Sequence, residues 1–272
     1  MNITKAIIPV AGRGTRWLPL TKSIEKCMLP VGNRPIIDYV VEDCLRAGIT
    51  EFYFIVGEDS MQLRSYYRPN LDLEDYLKRN GRDDMLPLID TPDARFHFII
   101  QPSYGKYGTA VPVDLALPYI DEGESVLVYM GDNYLMGQKG ESEVSRLVSA
   151  AQDGHSSIIG FVVGENPDIP RYGFIEANSD NELIRIVEHP EIEPENFIKN
   201  VSIYTLSYPM LRAVHDYVRT DKPSGEYGIF DPFEQAINNG NIMNVVLSHG
   251  TYLDAGNPES WLKANQIVMS QK

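Results

Sequence analysis

The first half of the chain alternates short apolar segments with longer amphipathic ones. The apolar segments are KAIIPV, EFYFIV, FHFIIQ and SVLVYMGD, beginning at residues 5, 51, 96 and 125. Their β-branched and aromatic residues are typical of strands buried inside a parallel sheet. The pattern therefore predicts four such strands in this half.

The segment RPIIDYVVEDCLRAG, between the first two strands, has apolar residues at helical spacing. Pro35 suits the start of a helix and Gly48 suits its end. Alternating strands and helices predict right-handed crossovers, and hence a doubly wound, mostly parallel, Rossmann-like sheet of the α/β class. The polar segment 59–95 is interpreted as a helical insertion over the functional site.

From Ser156 the strands lie closer together along the chain. SSIIGFVV, YGFIEA, ELIRIVEHP and FIKNVSIYTLS predict four of them, followed by helices at 208–219 and 226–238. NVVLSHGTYLDAGNP then predicts two more strands, before a last helix from Pro258. We expect one domain over residues 1–272, in which a half at 1–155 is joined by a smaller mixed β subdomain at 156–272.

Composition narrows the classes of protein and the classes of partner. Of 272 residues, 24 are basic and 38 acidic, a formal net charge of -14 that argues against a nucleic-acid or anionic-membrane binder. No apolar run approaches the roughly 18–20 residues that span a membrane, and we expect no secretion signal. The cysteines, Cys27 and Cys44, make no disulfide framework, which favours a reducing cytoplasm.

A basic, glycine-rich stretch interrupts this acidic chain directly after the first strand. Ala11-Gly12-Arg13-Gly14-Thr15-Arg16 is followed by Lys22 and Lys26. The stretch lacks the Gly-Lys-Ser/Thr ending of a P-loop, and Trp17 stands where a dinucleotide fingerprint has its third glycine. Glycines alone would indicate a tight turn, but the added cations favour a small anionic ligand.

The segment PVAGRGTRWLPLTKSIEKCMLPVGNRPIIDYVV resembles the signature of the sugar-1-phosphate nucleotidyltransferases, the nucleoside-diphosphate-sugar pyrophosphorylases. That signature is Gly-x-Gly-x-Arg followed by Lys-x-Met-Leu-Pro, matched here by Gly12, Gly14, Arg16 and residues 26–30. Within the family, the chain most resembles the bacterial enzymes that use UTP and glucose 1-phosphate. The resemblance implies nucleotidyl transfer from a pyrimidine nucleoside triphosphate, UTP preferred, to glucose 1-phosphate, giving UDP-glucose and pyrophosphate.

In such a reaction a sugar phosphate oxygen attacks the α-phosphorus of the triphosphate. The nucleophile is already an anion, so catalysis consists of aligning two polyanions and neutralising their charge. By resemblance, Arg16 binds the β and γ phosphates, and Lys26 reaches the α-phosphate and the sugar phosphate. These two residues are the predicted catalytic pair.

The resemblance also implies a magnesium ion, held by Asp132 and Asp254. Asp132 ends an apolar strand, where parallel sheets bind their ligands, and Asp254 follows another apolar pair. Mg²⁺ prefers one or two protein carboxylates together with phosphate oxygens and water. Taken singly, either aspartate also fits an ordinary turn or helix cap.

For the nucleotide, the resemblance implies contacts from the glycine loop and from a second loop. An amide such as that of Gln101 offers both a donor and an acceptor to the edge of a pyrimidine. Lys106 stands where the family usually has a glycine, which leaves the choice of base open. The predicted nucleotide-binding residues are Ala11, Gly12, Gly14, Thr15, Gln101 and Gly108.

For the sugar phosphate, the resemblance implies Tyr172 and Gly173 at the sugar, followed by Glu188. His189 replaces the lysine that binds the phosphate in the family, and we expect it to take over that task. The alternative is that Lys199 or Lys106 holds the phosphate. Gly225 and Glu226 match a stretch that lines the sugar pocket.

Other functions remain open on sequence alone. A glucose-1-phosphate thymidylyltransferase using dTTP has similar motifs, and a catalytically weak, regulatory nucleotide-sugar-binding protein would explain the departures at Lys106 and His189. A nicotinamide-dependent oxidoreductase is disfavoured by the missing third glycine. The expected partners are small-molecule substrates and further copies of the chain, with neither nucleic acid nor membrane.

Overall fold

The computed structural model describes residues 3–151, 154–162, 173–187, 198–222 and 225–270. Within them a large sheet of nine strands has the order β10-β9-β11-β6-β1-β4-β5, with β8 pairing with β11 and β12 with β8. Its strands are β1 (Lys5–Pro9), β4 (Glu51–Val56), β5 (Arg95–Ile100), β6 (Val126–Tyr129), β8 (Ser156–Val162), β9 (Phe174–Ala177), β10 (Leu183–Val187), β11 (Ile198–Leu206) and β12 (Met243–Ser248).

Two small ribbons stand beside the large sheet. They pair β2 (Pro30–Val31) with β3 (Arg34–Pro35), and β7 (Asn133–Met136) with β13 (Thr251–Asp254). The helices are α1 (Ile36–Arg46), α2 (Gln62–Tyr66), α3 (Leu71–Arg79), α4 (Val111–Ala116), α5 (Glu143–Ala150), α6 (Tyr208–Val218), α7 (Phe230–Asn238) and α8 (Pro258–Ser270).

The doubly wound α/β architecture predicted from the pattern is confirmed. β6, β1, β4 and β5 are parallel neighbours. Helices α1, α5 and α8 pack into one hydrophobic core, and α4, α6 and α7 pack into a second. The mixed strands of the second half join the same sheet, because β11 runs antiparallel to β6 along four residue pairs.

The late helix predicted at 226–238 begins four residues later, at Phe230. The preceding backbone is engaged elsewhere: Tyr107 N donates to Gly225 O at 3.1 Å, and Tyr227 N donates to Tyr107 O at 2.8 Å. A long-range pairing of this kind overrides local helical pattern. The segment 59–95 is helical as predicted, through α2, α3 and a short 3₁₀ turn at Asp83–Leu88.

The strand register determines which residues share the edge of the sheet where a site could form. Pro9 pairs with Ile55, Ile55 with Ile99, and Ile7 with Val128. Extending these registers past the carboxyl ends of the strands brings Ala11, Gln101 and Asp132 to the same level. Ligands of open α/β sheets bind at this edge.

Candidate active site

The glycine loop leaves β1 at this edge and contains two glycines with different surroundings. Gly14 has φ +59°, and a Cβ there would lie 2.8 Å from Thr21 Cγ2. Thr21 Oγ1 also donates to Gly14 O at 2.9 Å, which holds the turn. A Cβ at Gly12 would meet no atom within 4 Å, so this position opens onto free space. Ala11 lies between β1 and Gly12 and is half-buried.

The loop continues into a 3₁₀ turn, Thr15–Trp17, that carries the predicted catalytic Arg16. Thr15 and Arg16 are exposed, whereas Trp17 is buried. The Trp17 indole Nε1 donates to Ala255 O at 2.8 Å. The turn is therefore tied to the residue that directly follows Asp254, although the two lie more than two hundred residues apart.

Lys26 and Asp132 form an ion pair between Lys26 Nζ and Asp132 Oδ2. Lys26 lies in a 3₁₀ turn, Lys26–Met28, and its side chain is only 12% exposed, against 38% for Asp132. This ion pair lies at the edge of the sheet where ligands bind. A bound triphosphate would compete with Asp132 for Lys26, and a bound metal ion would compete with Lys26 for Asp132.

Asp132 is brought close to the glycine loop by the glycine that precedes it. Gly131 N donates to Pro9 O at 3.3 Å, and a Cβ at Gly131 would lie 2.4 Å from Val10 Cγ1. The absence of a Cβ lets the Val10 side chain pack directly against the backbone of Gly131. Packing in the core thus favours glycine at the position before Asp132.

Asp254 reaches the same place from the far end of the chain. It ends β13, directly opposite Asn133 of β7. Ala255 N donates to Asp132 O at 3.2 Å, and Gly256 N donates to Asp254 Oδ1 at 2.7 Å. The structure therefore places both predicted metal-binding carboxylates on adjoining backbone segments.

The residues present fit a magnesium ion. Within the described part of the chain, no group of three or more His, Cys, Asp or Glu residues forms a metal cage. Mg²⁺ does not need one, because one or two carboxylates suffice when phosphate oxygens and water complete its shell. Asn133 follows Asp132 and pairs with Asp254 across the ribbon, and its side-chain oxygen Oδ1 is buried without a hydrogen-bond partner. Asp132 and Asp254 are the side chains that would hold the ion.

Gln101 follows β5, on the other side of β1 from Asp132, and Gly108 lies farther along the same loop. The backbone N of Gln101 donates to Val56 O at 2.8 Å. Gly108 has φ +111°, and a Cβ there would lie 2.4 Å from Tyr227 O. Ala110 N donates to the same Tyr227 O at 2.9 Å. The second loop is thus fastened to the stretch that sequence analysis placed in the sugar pocket.

Lys106, which stands in the second loop where the family usually has a glycine, bonds to the protein's own backbone. Its Nζ donates to the carbonyl oxygens of Val218 and Thr220, the latter at 3.0 Å. The ammonium also lies 5.0 Å from the centroid of the Tyr227 ring. Lys106 therefore braces the loop against the end of α6.

The sugar-side predictions are only partly within the described structure. Gly173 accepts a hydrogen bond from Asn200 N at 2.9 Å, just before β9. Tyr172, Glu188 and His189 lie outside the described residues. Their roles remain predictions.

Sequence analysis missed the contribution of Glu25, the residue before Lys26. Its carboxylate accepts hydrogen bonds from Met61 N at 2.8 Å, Gln62 N at 2.6 Å and Ser60 Oγ at 2.7 Å. Glu25 N in turn donates to Gln62 Oε1 at 2.8 Å. The residue before Lys26 is thus the cap of α2. No local pattern could reveal this, because the partners are far apart in sequence.

Cys27 sits beside Lys26 but is not a nucleophile. Burial raises the pKa of the Cys27 thiol well above its usual range, and the nearby charge of Glu25 raises it further. The cysteine therefore stays a neutral thiol. Cys27 and Cys44 are both buried and free. The sequence, with only these two cysteines, predicted no disulfide framework.

Comparisons with known proteins identify the class. The family model for the nucleotidyl transferases matches residues 5–271. A Methanocaldococcus jannaschii protein, provisionally named a UTP–glucose-1-phosphate uridylyltransferase, is 30% identical over 99% of this chain and 94% of its own length. The chain therefore belongs to the nucleotidyl transferase family, as the glycine-loop signature predicted.

Two further matches agree with this assignment. The UTP–glucose-1-phosphate uridylyltransferase of Streptococcus pneumoniae is 32% identical over a segment covering 66% of this chain and 60% of that protein. The solved structure of a UTP-bound UGPase from Acinetobacter baumannii superposes with a TM-score of 0.86, at 24% identity, over 99% of this chain and 94% of that one. The latter likeness establishes the fold. No helix among the described residues is long and apolar enough to cross a membrane.

Proposed function

We propose that this protein transfers a uridylyl group from UTP to glucose 1-phosphate, releasing pyrophosphate and forming UDP-glucose for nucleotide-sugar biosynthesis. The observation that carries the proposal is the convergence of Lys26, Asp132 and Asp254 beside the glycine loop. The similarity to uridylyltransferases supports the choice of substrates.

The chemistry is a direct displacement at phosphorus. An oxygen of the glucose 1-phosphate attacks the α-phosphorus, the new P–O bond forms, and the bond to the β-phosphate oxygen breaks as pyrophosphate leaves. The attacking phosphate needs no base, and the neutral Cys27 thiol offers no covalent alternative. A direct displacement is thus consistent with the groups around Lys26.

The roles of the cations follow from their chemistry and placement. Arg16, on an exposed turn, presents a planar guanidinium suited to the departing pyrophosphate. Lys26, whose side chain is largely buried, follows the α-phosphate through its change of geometry. Magnesium held by Asp132 and Asp254 would neutralise phosphate charge when bound.

We assign each of the remaining predicted site residues to the part of the substrates that it would contact. Gln101, level with Ala11 and two strands away, lies about 10 Å from the glycine loop at the usual strand spacing. That separation suits a base at Gln101 and phosphates at the loop residues Gly12, Gly14 and Thr15, with Gly108 shaping the second loop. Tyr172, Gly173, Glu188 and His189 are proposed for the sugar phosphate.

The proposal is tested by supplying each triphosphate with each sugar phosphate and measuring pyrophosphate. UTP and dTTP are each paired with glucose 1-phosphate and with galactose 1-phosphate, and every pair is assayed once with magnesium and once with EDTA. We expect UTP, glucose 1-phosphate and magnesium to give the highest kcat/KM, and EDTA to abolish the signal. A preference for dTTP would identify a thymidylyltransferase instead. Binding without pyrophosphate release from any pair would identify a regulatory binding protein.

Cellular location and assembly belong to the same proposal. Free buried cysteines suit a reducing cytoplasm. We propose a homo-oligomer, since enzymes with this signature commonly assemble. Light scattering on the purified chain measures its mass against the 30.7 kDa of one copy.

A further inference from the structure

The second loop, residues 101–110, is paired with the stretch 225–227 through its backbone. Tyr107 N donates to Gly225 O at 3.1 Å, and Tyr227 N donates to Tyr107 O at 2.8 Å. The loop that is predicted to contact the nucleotide is thus joined to the stretch that is predicted to line the sugar pocket. What holds this pair against the rest of the protein is a side chain of the loop.

That side chain belongs to Lys106, and it reaches the carboxyl end of α6. The ammonium donates to Val218 O and, at 3.0 Å, to Thr220 O. A cation is favourable there, because the last carbonyl oxygens of a helix carry its negative partial charge. The ammonium also lies 5.0 Å from the centroid of the Tyr227 ring, close enough for a cation–π contact.

Tyr227 stands at the centre of these contacts. It is only 2% exposed, and its hydroxyl donates at 2.7 Å to Thr220 O, the same oxygen that accepts from Lys106. Gly108 packs directly on the Tyr227 backbone, since a Cβ there would lie 2.4 Å from Tyr227 O. Lys106, Thr220 and Tyr227 therefore form one anchor, to which the loop contributes the ammonium.

The tip of the second loop, in contrast, has little packing. Tyr104 is 93% exposed, and a Cβ at Gly105 would meet no atom within 4 Å. Gly105 also has φ +109°, a conformation in which glycine adds backbone freedom. A ligand that binds such a loop must offset the cost of ordering it, and a contact that orders the loop beforehand strengthens binding.

We propose that Lys106 is a positioning residue for the nucleoside triphosphate, which holds the second loop in the conformation that receives the nucleotide. This inference rests on the proposed function and deepens it. Sequence analysis left Lys106 as an alternative to His189 for binding the sugar phosphate. Its bonds to carbonyl oxygens at the end of α6 assign its ammonium to the loop instead.

The test replaces Lys106 with Met, which keeps an apolar stem beside the Tyr227 ring but removes the N–H donors. The KM and the calorimetric Kd for UTP should both rise roughly 3- to 10-fold, the cost of ordering a side chain or two on binding. We expect kcat to stay within about twofold, since Lys106 does not reach the reacting groups in this proposal. The KM for glucose 1-phosphate should also stay within about twofold, because Tyr227 keeps its own bond to Thr220.

Hydrogen exchange gives a readout that does not depend on turnover. In Lys106→Met, amides of residues 101–110 should exchange faster than in the wild type, because the loop opens more often. Bound UTP should slow this exchange in both proteins. If Lys106→Met does not fold, Lys106→Gln keeps N–H donors without the charge and should show a smaller rise in the same constants.

Lys222→Met is the matched control. Lys222 lies just beyond the same end of α6, where its ammonium donates to Asp231 Oδ2 at 3.0 Å and to the Tyr217 hydroxyl. The substitution removes a cation from this region but leaves the bonds of Lys106 in place. It should lower the melting temperature without changing KM or Kd for UTP.

The outcomes separate this inference from the proposed function. If the wild type binds UTP but does not form UDP-glucose, the proposed function fails, whereas Kd and hydrogen exchange still test Lys106. An unchanged Kd for UTP in Lys106→Met overturns the inference, even if the loop exchanges faster, because the contact is then structural only. A rise confined to KM for glucose 1-phosphate also overturns it and assigns Lys106 to the sugar phosphate.

Discussion

Gly12 and Gly14 stand two residues apart in one loop, yet the structure requires them for different reasons. The positive φ of Gly14 and its contact with Thr21 make a side chain there costly to the fold itself. At Gly12 a Cβ meets nothing within 4 Å. The need for glycine at that position would come from a phosphate approaching the backbone.

This difference predicts opposite behaviour for two alanine variants. Gly14→Ala should lower the free energy of unfolding by about 1–2 kcal/mol, since a non-glycine residue adopts the left-handed region at that cost. Gly12→Ala should change it by less than about 0.5 kcal/mol and yet raise KM for UTP. Thermal unfolding and steady-state kinetics of both variants measure this. A Gly12→Ala enzyme with unaltered KM for UTP would show that the loop does not approach the triphosphate.

The two aspartates are the next residue-scale test. Asp132→Asn and Asp254→Asn should each lower kcat by at least about 100-fold, because both remove charge that holds magnesium. The double variant should be little worse than either single one, as residues acting on one ion are not additive. Titration with Mn²⁺ gives a readout that is independent of turnover.

Asp75→Asn, on the exposed surface of α3, serves as the control and should retain full activity. Normal metal dependence in Asp254→Asn would contradict the shared site. In that case Asp254 would act only as the acceptor for Gly256 N.

At the scale of elements, the segment that carries Lys26 is linked to the helical insertion through Glu25. The start of α2 has no cap from its own side chains, and Glu25, the residue before Lys26, supplies one. These hydrogen bonds connect the insertion to the turn that carries Lys26. Sequence patterns predicted both elements but not the connection, since hydrophobic spacing reports how each segment packs and not which distant carboxylate caps it.

We expect Glu25→Ala to affect both stability and catalysis. Loss of the cap should lower the free energy of unfolding by about 1–2 kcal/mol. Loosening of the loop should displace Lys26 and lower kcat, by up to about 100-fold for a displacement near 1 Å. Denaturant unfolding and single-turnover rates measure the two effects.

Glu74→Ala is the comparison for Glu25→Ala. Glu74 forms an exposed pair with Lys78 on α3, and its loss should leave the free energy of unfolding nearly unchanged. If Glu25→Ala leaves kcat intact, the insertion does not help to position Lys26.

At the scale of the whole molecule, the two sequence-predicted halves share the large sheet and contribute residues to both hydrophobic cores. Hydrophobic residues from both, such as Ile8 and Leu127 with Val201 and Leu253, belong to the same buried cluster. The pairing of β6 with β11 joins them along the backbone as well. Both buried clusters thus draw residues from both halves.

The molecule should therefore unfold in one calorimetric transition, with equal calorimetric and van't Hoff enthalpies. At roughly 0.7 kcal/mol per residue, the enthalpy for 272 residues is about 190 kcal/mol near 60 °C. A fragment of residues 1–155 should lack cooperative unfolding. Two resolved transitions in the whole chain would show that the halves are separate domains.

The sequence by itself determined the class of fold and the family, because apolar periodicity and the spacing of the glycine-loop signature are local properties. α1 and α6 lie where their periodicity predicted them, and Asp132 follows a buried strand as expected. Only the tertiary structure decided which distant residues meet: Trp17 with Ala255, Glu25 with α2, and Lys199 with Tyr252. The physical reason is that these contacts depend on strand order and register, which backbone pairing across the whole sheet sets and no short segment encodes.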